Sequence, residues 1–313
     1  MTDDVRYMQR CLQLARNGMQ NARPNPMVGA VIVAENRIIG EGYHVRCGEG
    51  HAEVNAFASV RPVDEPLLPK ATIYVSLEPC SHYGKTPPCA DIIISKGVKR
   101  VVVGCIDEFA EVKGRGIKKL REAGIDVVVG VLEAECRELN RRFLTFHREQ
   151  RPYIILKWAQ TANGFIDNHG QPLAISSPFT RMLSHKLRAQ ADAILVGRVT
   201  NEREHPQLNV REWSGPAPKR LVIDRQHPLN LSSLYAHGIQ SLIVEGGAQT
   251  LRSFIDDGLW DEIRVETALT MTVADGTHAP SIPADVLVTD TQSYGQNLIV
   301  TYRHTTCPTT NPH

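Results

Sequence analysis

The sequence predicts an α/β protein with two domains, on three grounds. The chain has 313 residues, which is more than one ordinary domain requires. Helical and strand-like patterns alternate along both halves, as in layered domains whose helices cover the faces of a sheet. A long helical pattern stops at Arg151-Pro152, because the residue before a proline resists helical geometry. We therefore predict a first domain over 1–150 and a second over 151–313.

The first half starts with a helix and then alternates between strands and helices. Apolar residues recur at helical spacing from Val5 to Ala15, behind Asp3 and Asp4, which we expect to cap this helix. The later segments are expected as strands over 27–33, 37–43, 72–77, 100–105 and 126–129, and as helices starting near 51 and 88, over 114–123 and, in one piece, over 133–150.

The second half begins a new α/β series and does not repeat the first. Its expected strands cover 153–159, 192–197, 220–224, 241–245, 260–268 and 297–304, and its expected helices cover 178–190 and 248–257. The tail over 307–313 is rich in Thr, Pro and Asn, so we expect it to fray.

Charge and hydropathy restrict the possible partners. Lys and Arg number 35 against 34 Asp and Glu, a formal net charge of +1, which disfavours a long nucleic-acid partner. No apolar run approaches the roughly 20 residues that span a bilayer, and no apolar signal region follows the acidic N-terminus. The seven cysteines, an odd number, are expected as reduced thiols. We therefore expect a cytoplasmic protein that binds neither membranes nor nucleic acid.

The most informative residues are His51-Ala52-Glu53, Pro79-Cys80 and Pro88-Cys89. One imidazole and two thiolates are ligands that zinc favours, and a set of three leaves the fourth position for water, as in catalytic sites. Binding to zinc lowers the pKa of that water toward neutrality. Glu53 can take the proton of the water and deliver it to a leaving amine. The pattern predicts one catalytic zinc per chain on His51, Cys80 and Cys89, with Glu53 as the proton carrier.

Other interpretations of these residues stay open. A His-x-Glu pattern is common by chance, so the residues could be ordinary buried or surface side chains. Cys47, on a Gly-rich loop ahead of the helix, could complete a structural site with four ligands, although three ligands favour a catalytic one. Zinc base deaminases usually continue with P-C-x-x-C, whereas eight residues separate Cys80 from Cys89 here.

The same segments resemble the deaminase half of the RibD family, the bifunctional riboflavin-biosynthesis deaminase–reductases. The long spacer that ends in Thr86-Pro87-Pro88-Cys89 separates that family from nucleoside and tRNA deaminases. The resemblance also covers the second half of the chain. In the first half its motifs are Asn25-Pro26, Val28-Gly29, Gly42-Tyr43-His44, His51-Ala52-Glu53, Leu77 to His82, Gly84 to Cys89, Gly114-Arg115-Gly116 and Leu139-Asn140.

The resemblance implies a cytidine-deaminase-like, three-layer first domain that removes the 2-amino group of a diaminopyrimidinone carrying a phosphoribosylamino group. It places Asn25, His44, His82 and Lys85 in the substrate pocket. An Asn can hold a base edge through paired donor and acceptor contacts, and Lys85 with His82 could meet a phosphate or a ring carbonyl. A deaminase of nucleosides or tRNA bases is the alternative, which the near-neutral charge and the long spacer disfavour.

The second half carries one strand-to-helix turn with two glycines, Gly246-Gly247, whose backbone N–H groups could approach a phosphate. The resemblance implies a dihydrofolate-reductase-like domain that uses NADPH to reduce the ribose to a ribityl chain. Lys157 or Glu204 is the expected proton source. The implied substrate contacts are Arg188 (to the phosphate), Leu208, Arg211 and Glu245, and the implied cofactor contacts are Ala159, Thr200, Glu204, Gly246, Gly247, Ala248, Gln249 and Thr250.

Three positions of the second half depart from the family pattern. Asn163 and Glu204 stand where the family has Asp, and Ala174 aligns with a usual Trp. These departures favour, as an alternative, a deaminase whose second domain is a degenerate reductase that serves only assembly. We expect an active reductase, since working sites tolerate such local departures. The resemblance further implies a homodimer joined through the second domain and a phosphorylated small molecule as substrate.

Overall fold

The computed structural model describes residues 2–81, 87–109 and 113–305, and the expected fraying of 307–313 lies outside them. The chain divides into two units, Met1–Glu149 and Gln150–His313. The longest helix among the described residues has 13 residues, and none of the described helices is long and apolar enough to cross a membrane.

The first unit alternates helices and strands as the sequence predicts. In chain order its described elements are α1 (Asp3–Ala15), β1 (Gly29–Ala34), β2 (Arg37–Tyr43), α2 (Ala52–Ala58), β3 (Thr72–Leu77), α3 (Cys89–Ser95), β4 (Arg100–Cys105), α4 (Arg115–Glu122), β5 (Asp126–Val129), α5 (Glu133–Leu139) and α6 (Arg141–Glu149), with 3₁₀ segments at Arg16–Gly18 and Pro62–Lys70.

These strands form one sheet, in the order β2-β1-β3-β4-β5, and helices cover both of its faces. Strand β1 runs antiparallel to β2 and β3, whereas β3, β4 and β5 are parallel. Alternate residues of β1 point to opposite faces, so Ile32 packs with α2, α3 and α4 while Val31 packs with α1 and α5. The predicted three-layer arrangement is confirmed.

Two expectations for the first unit are wrong in detail. The hydroxyl of Thr2, not a carboxylate of Asp3 or Asp4, caps α1, because its Oγ1 accepts from the Val5 backbone N–H over 3.4 Å. Asp3 and Asp4 occupy the first turn instead, where negative charge stabilises the helix dipole.

The expected long helix over 133–150 is interrupted at Asn140. The side chain of Asn140 binds both backbone groups of Met27: its Oδ1 accepts from the Met27 N–H over 2.8 Å, and its Nδ2 donates to the Met27 carbonyl over 2.9 Å. Asn140 is 3% exposed, so these bonds form away from water. The double hydrogen bond fixes Asn140 outside helical geometry, at φ −106° and ψ 19°, and separates α5 from α6.

The second unit has its own sheet and helices. In chain order its described elements are β6 (Tyr153–Thr161), β7 (Asp167–Asn168), β8 (Gln171–Pro172), α7 (Pro178–Ala189), β9 (Ala193–Gly197), α8 (Arg198–Glu204), β10 (Lys219–Ile223), α9 (Leu231–Ala236), β11 (Ser241–Val244), α10 (Ala248–Asp256), β12 (Glu262–Ala268), β13 (Val286–Tyr294) and β14 (Asn297–His304).

The main sheet of this unit has the order β10-β9-β11-β6-β12-β14-β13, with β7 and β8 in a separate hairpin. Strands β10 to β12 in this order are parallel, and β14 is antiparallel to both of its neighbours. Leu187 of α7 packs on one face, and Leu251 and Phe254 of α10 pack on the other. The carboxyl ends of β9, β11 and β6 therefore lie side by side, where open α/β sheets bind ligands.

Three main elements of this unit escape sequence-based prediction. Helix α8 buries no residue and shows no apolar stripe at helical spacing. Helix α9 has only six residues, so its partly buried Leu231 and Leu234 span less than the window over which a helical period can be recognised. Strand β13 lies at the edge of the sheet and is exposed along most of its length, so it lacks the alternation of a half-buried strand.

Candidate active sites

The predicted zinc ligands of the first unit come together. The Sγ of Cys80 lies 3.5 Å, and the Sγ of Cys89 3.3 Å, from Nδ1 of His51. The three possible ligand atoms all lie within 4.8 Å of one another, and among the described residues this is the one group of His, Cys, Asp and Glu with such an arrangement. Cys47 is exposed and does not belong to the group, which argues against a structural site with four ligands.

The sequence brings these ligands together through two helix starts. His51 is the N-cap of α2, in extended geometry, and its carbonyl accepts from the Asn55 backbone N–H over 3.0 Å. Cys89 is the first residue of α3, after the N-cap Pro88. The Cys89 backbone N–H donates to the sulfur of Cys80 over 3.3 Å. The sulfurs of both cysteines thus lie at the start of α3, where the positive end of the helix dipole favours thiolate over thiol.

The thiols of Cys80 and Cys89 differ in pKa, so a single negative charge on the pair resides on Cys80. The Cys89 side chain, followed by His51, lowers the pKa of Cys80 to about 4. The pKa of Cys89 is raised above its usual range, because the neighbouring Cys80 and burial both disfavour a second negative charge. A cation bound between the sulfurs would relieve that repulsion, and the pair is therefore suited to a metal ion.

Glu53 lies on the first turn of α2, two residues after His51, and is 3% exposed. Burial raises the pKa of the Glu53 carboxyl to about 7, and the nearby Cys80 adds to the shift. A carboxyl that titrates near neutrality can both accept and donate a proton. The site therefore pairs a metal-ligand group with a buried proton carrier.

Asn25 and His44 form a second polar pair beside the cluster. The His44 ring lies edge-on to the His51 ring, with centroids 5.4 Å apart. Its Nδ1 lies 3.1 Å from the Gly50 carbonyl, an acceptor, so Nδ1 carries the ring proton and Nε2 accepts from Asn25 Nδ2 over 3.1 Å. Burial lowers the pKa of His44 and keeps the ring neutral. His44 thereby fixes the orientation of the Asn25 amide beside the predicted ligand His51.

Glu78 stabilises the chain segment that leads to Cys80, a role that the sequence motifs did not indicate. Its buried carboxylate accepts from four backbone N–H groups at 2.9 to 3.3 Å, those of Asp107, Gly114, Gly116 and Ile117. A Cβ on Gly116 would lie 1.9 Å from the Pro79 carbonyl oxygen, so only glycine allows α4 to approach the segment before Cys80. In the sequence, the sign of this role was an acidic residue directly after an apolar strand.

His82 and Lys85, which were also predicted to line the substrate pocket, lie outside the described residues.

In the second unit the Gly246-Gly247 turn packs against the start of α8. A Cβ on Gly246 would lie 3.1 Å from Cγ2 of Thr200, and one on Gly247 would lie 3.0 Å from its Oγ1. Both glycines have positive φ, 126° and 59°. Gly247 is the N-cap of α10, whose first three residues are Ala248, Gln249 and Thr250. Six of the eight predicted cofactor residues, Thr200 and 246–250, thus lie at the amino end of α10, the arrangement that binds phosphate groups. The other two lie elsewhere, Ala159 on β6 and Glu204 at the end of α8.

The predicted substrate residues Arg188 and Glu245 form an ion pair. Arg188 Nη2 and Nε donate to the two carboxylate oxygens of Glu245 at 2.6 and 3.2 Å. Burial alone would raise the pKa of Glu245, but Lys157 and Arg188 outweigh it and hold that pKa below its usual value. Lys157 and Ala159 lie two residues apart on β6, opposite Arg264 and Glu266 of β12. Lys157, Arg188 and Glu245 therefore share one electrostatic environment at the carboxyl edge of the sheet.

Leu208 and Arg211 lie on the segment between α8 and β10. Leu208 is buried in the core with Leu187 and Ile194, despite a φ of 50°. Glu204 is the last residue of α8 and lies at the surface. Partial shielding of its carboxyl from water raises its pKa; the positive charge of Arg203 lowers that pKa, and the negative charge of Asp167 raises it further.

The departure at Asn163 has a structural explanation. Its Nδ2 donates to the Val273 carbonyl over 2.8 Å, and its Oδ1 accepts from the Val273 N–H and the Thr161 hydroxyl at 3.3 and 2.9 Å. An aspartate can replace the acceptor but cannot donate to Val273. In this chain the amide therefore holds two loops of the second unit together.

We expect Asn163→Asp to lower the free energy of unfolding of the second unit by about 1 to 2 kcal/mol, because one hydrogen bond is lost and a carboxylate faces a carbonyl. Urea unfolding of the full chain measures this. Asn230→Asp is the matched control, because the side-chain hydrogen bond of Asn230 to the described part of the chain is made by its Oδ1, which accepts from the Ser233 N–H over 2.8 Å and which an aspartate retains. Equal stability of the two variants would contradict the prediction.

Comparison with known proteins identifies the family. Residues 1–105 match the family model of the cytidine and deoxycytidylate deaminase zinc-binding region, and residues 152–232 and 226–272 match that of the RibD C-terminal domain. The riboflavin biosynthesis protein RibD of Aquifex aeolicus is 39% identical over 309 residues, which cover 84% of this chain and 86% of the relative. The chain belongs to the RibD family.

Two further relatives agree with this assignment. The RibD protein of Escherichia coli is 46% identical over 239 residues, 72% of this chain and 64% of that protein. The crystal structure of a diaminohydroxyphosphoribosylaminopyrimidine deaminase/5-amino-6-(5-phosphoribosylamino)uracil reductase from Thermotoga maritima superposes with a TM-score of 0.86 at 32% identity, over 96% of this chain and 98% of that one. As a RibD-family member, this chain is a bifunctional enzyme of riboflavin biosynthesis, with a zinc-binding deaminase domain and a reductase domain.

Proposed function

We propose that the chain catalyses two consecutive steps: hydrolytic deamination of 2,5-diamino-6-(5-phosphoribosylamino)pyrimidin-4(3H)-one, then reduction of its ribosyl group to ribityl with NADPH. The observation that carries the proposal is the His51, Cys80 and Cys89 cluster beside buried Glu53, on a chain that also carries the reductase domain. The substrate is the one that the Thermotoga relative's description implies.

The cluster suits zinc. Zinc–nitrogen and zinc–sulfur bonds at tetrahedral angles would separate nitrogen from sulfur by about 3.5 Å, and the two such distances here are 3.3 and 3.5 Å. We assign one zinc ion per chain to His51, Cys80 and Cys89. When bound, the ion would supply hydroxide from water at neutral pH.

The protein's own residues then carry out the deamination. Glu53 takes the proton that water loses and passes it to the departing 2-amino group, which leaves as ammonia while oxygen replaces it on the ring. The carbonyl oxygen of Asn25 accepts a hydrogen bond from the base edge, and neutral His44 holds the Asn25 amide in that orientation. His82 and Lys85 are proposed as contacts to the rest of the substrate.

For the reduction, the Gly246-Gly247 turn and the start of α10, from Ala248 to Thr250, suit the phosphates of NADPH, with Thr200 beneath the turn. NADPH would supply the hydride. Ala159 and Glu204 are proposed to contact its nicotinamide half, and Lys157 or Glu204 to supply the proton that completes the reduction.

The cations of this site suit the phosphate of the substrate. Lys157 and Arg188 surround a single carboxylate, Glu245, so the group carries net positive charge. We assign Arg188 and Arg211 to the phosphoribosyl moiety, with Leu208 and Glu245 as further substrate contacts. Because the guanidinium of Arg188 already binds Glu245, a phosphate would be held by a preformed ion pair.

We further propose a cytoplasmic homodimer joined through residues 151–313, by likeness to reductases of this kind. Light scattering at working concentration tests it, and a monomer would refute it.

The proposed function is tested with the zinc-loaded full chain, the phosphoribosylamino-diaminopyrimidinone and NADPH, with products identified by mass. Product that is deaminated and reduced supports both steps. Product that is deaminated only would leave the second domain as a degenerate reductase, and an unchanged substrate would overturn the substrate assignment.

A further inference from the structure

His185 lies on α7, one turn before Arg188, and is 1% exposed. The backbone N–H of Arg211 donates to its Nδ1 over 3.3 Å. A nitrogen that accepts a hydrogen bond carries no proton, so the ring is neutral and its proton is on Nε2. The Oε1 of Glu212 lies 3.9 Å from Nε2, which is too long for a hydrogen bond. His185 therefore acts as a buried acceptor.

The segment over 205–211 depends on such anchors. His205 and Leu208 have positive φ values of 42° and 50°, a conformation that non-glycine residues adopt at a cost. Three contacts with α7 hold the segment in place. Leu208 packs with Leu187 in the core, Arg188 Nη1 donates to the Asn209 carbonyl over 3.4 Å, and His185 accepts from Arg211.

We propose that His185 is a positioning residue of the reductase site, whose unprotonated Nδ1 fixes the Arg211 backbone and with it the substrate-binding segment 208–211. The inference rests on the proposed function, in which Leu208 and Arg211 contact the phosphorylated substrate. Protonation of His185 would set a ring N–H against the Arg211 N–H, and the contact would be lost.

The charges around the ring decide the pH at which this happens. Burial, Arg188 and Arg211 lower the pKa of His185, and Glu212 with the Asn209 backbone opposes them less strongly. Glu245, at the end of β11, interacts electrostatically with His185 but is already paired with Arg188. Because the pKa lies below the usual value of about 6.5, the contact is intact at neutral pH and is lost as the pH falls through the lowered pKa.

Two substitutions distinguish the role of His185 as a hydrogen-bond acceptor from the effect of its protonation. Asparagine can place an acceptor oxygen near the position of Nδ1 and does not titrate, whereas leucine fills similar space without an acceptor. We would measure NADPH oxidation by the zinc-loaded full chain with the deaminated substrate, for wild type, His185→Asn and His185→Leu, from about pH 5.5 to about pH 8. The substrate phosphate titrates equally with all three proteins, so the ratio of a variant's KM to the wild-type KM at each pH reports on the His185 ring alone.

His185→Leu is expected to raise KM about five- to tenfold at neutral pH, the equivalent of one hydrogen bond, with a smaller change in kcat. His185→Asn is expected to stay near the wild-type KM there and to lack the additional rise of the wild type at acid pH. A wild-type KM in His185→Leu would overturn the proposal, as would an acid-side rise in His185→Asn equal to that of the wild type.

Hydrogen exchange keeps the two proposals separate. If the wild type does not oxidise NADPH at all, the proposed function fails. Hydrogen exchange of the Arg211 amide then tests the His185–Arg211 hydrogen bond independently of activity. Faster exchange over 205–213 in His185→Leu than in His185→Asn supports the anchor, and equal exchange overturns it.

Discussion

Replacing Glu53 with glutamine is expected to lower the kcat of deamination by about 10²- to 10⁴-fold, the usual contribution of a general acid–base group. Glutamine has almost the same shape, but it can neither take a proton from water nor pass one to the leaving amine. Ammonia release by the zinc-loaded variant measures the effect. The variant should keep its zinc, because Glu53 is not one of the three clustered ligands.

Glu49→Gln is the matched control, since Glu49 is an exposed carboxylate on the loop before α2. It should deaminate at the wild-type rate. Reduction of a supplied deaminated substrate should be normal in both variants, because that site lies in the second domain. A Glu53→Gln variant that retains zinc and more than about a tenth of the wild-type kcat would contradict the assigned role.

Cys89→Ser is expected to abolish stoichiometric zinc binding and, with it, deamination. A serine hydroxyl is a poor replacement for a thiolate ligand, and the change also removes the thiol that, beside Cys80, creates the paired-sulfur site. Metal analysis of the purified chain and the ammonia assay measure the two losses, and the rate should fall at least about a hundredfold.

Cys47→Ser separates ligand loss from general loss of a thiol. Cys47 is exposed and outside the cluster, so this variant should retain one zinc per chain and full activity. Loss of zinc in Cys47→Ser would instead revive the structural site with four ligands. Zinc retained by Cys89→Ser at wild-type stoichiometry would remove Cys89 from the ligand set.

The sequence predicts the buried parts of the fold well, because burial leaves a regular pattern. The bounds of β2, β3, β4 and β5 agree with those expected, and the α/β class holds for both units. The cluster of proposed zinc ligands is also predictable, since one imidazole and two thiolates at helix starts have few other uses. Their distances of 3.3 and 3.5 Å confirm that these residues meet.

What the sequence does not show depends on contacts between distant residues. Asn140 interrupts a helix because of Met27, Glu78 collects backbone N–H groups from the start of α4, and Asn163 uses its amide on Val273. No local pattern encodes such pairs, and at Asn140 the helical pattern of the whole segment predicts a continuous helix, because the partner Met27 is 113 residues away. His185 escapes notice for a similar reason, because a histidine within a helix gives no sign of its partner on a later segment.

The Asn140–Met27 pairing also sets an order for chain synthesis. Met27 follows Asn25, the proposed contact to the base, by two positions, whereas Asn140, which binds the Met27 backbone, lies 113 residues further along the chain. The three proposed metal ligands, His51, Cys80 and Cys89, are all synthesised before Asn140, so they can come together in a nascent chain before the hydrogen bonds to Met27 form. Those hydrogen bonds require the α5–α6 junction, which lies beyond residue 105, where the match to the zinc-binding family ends.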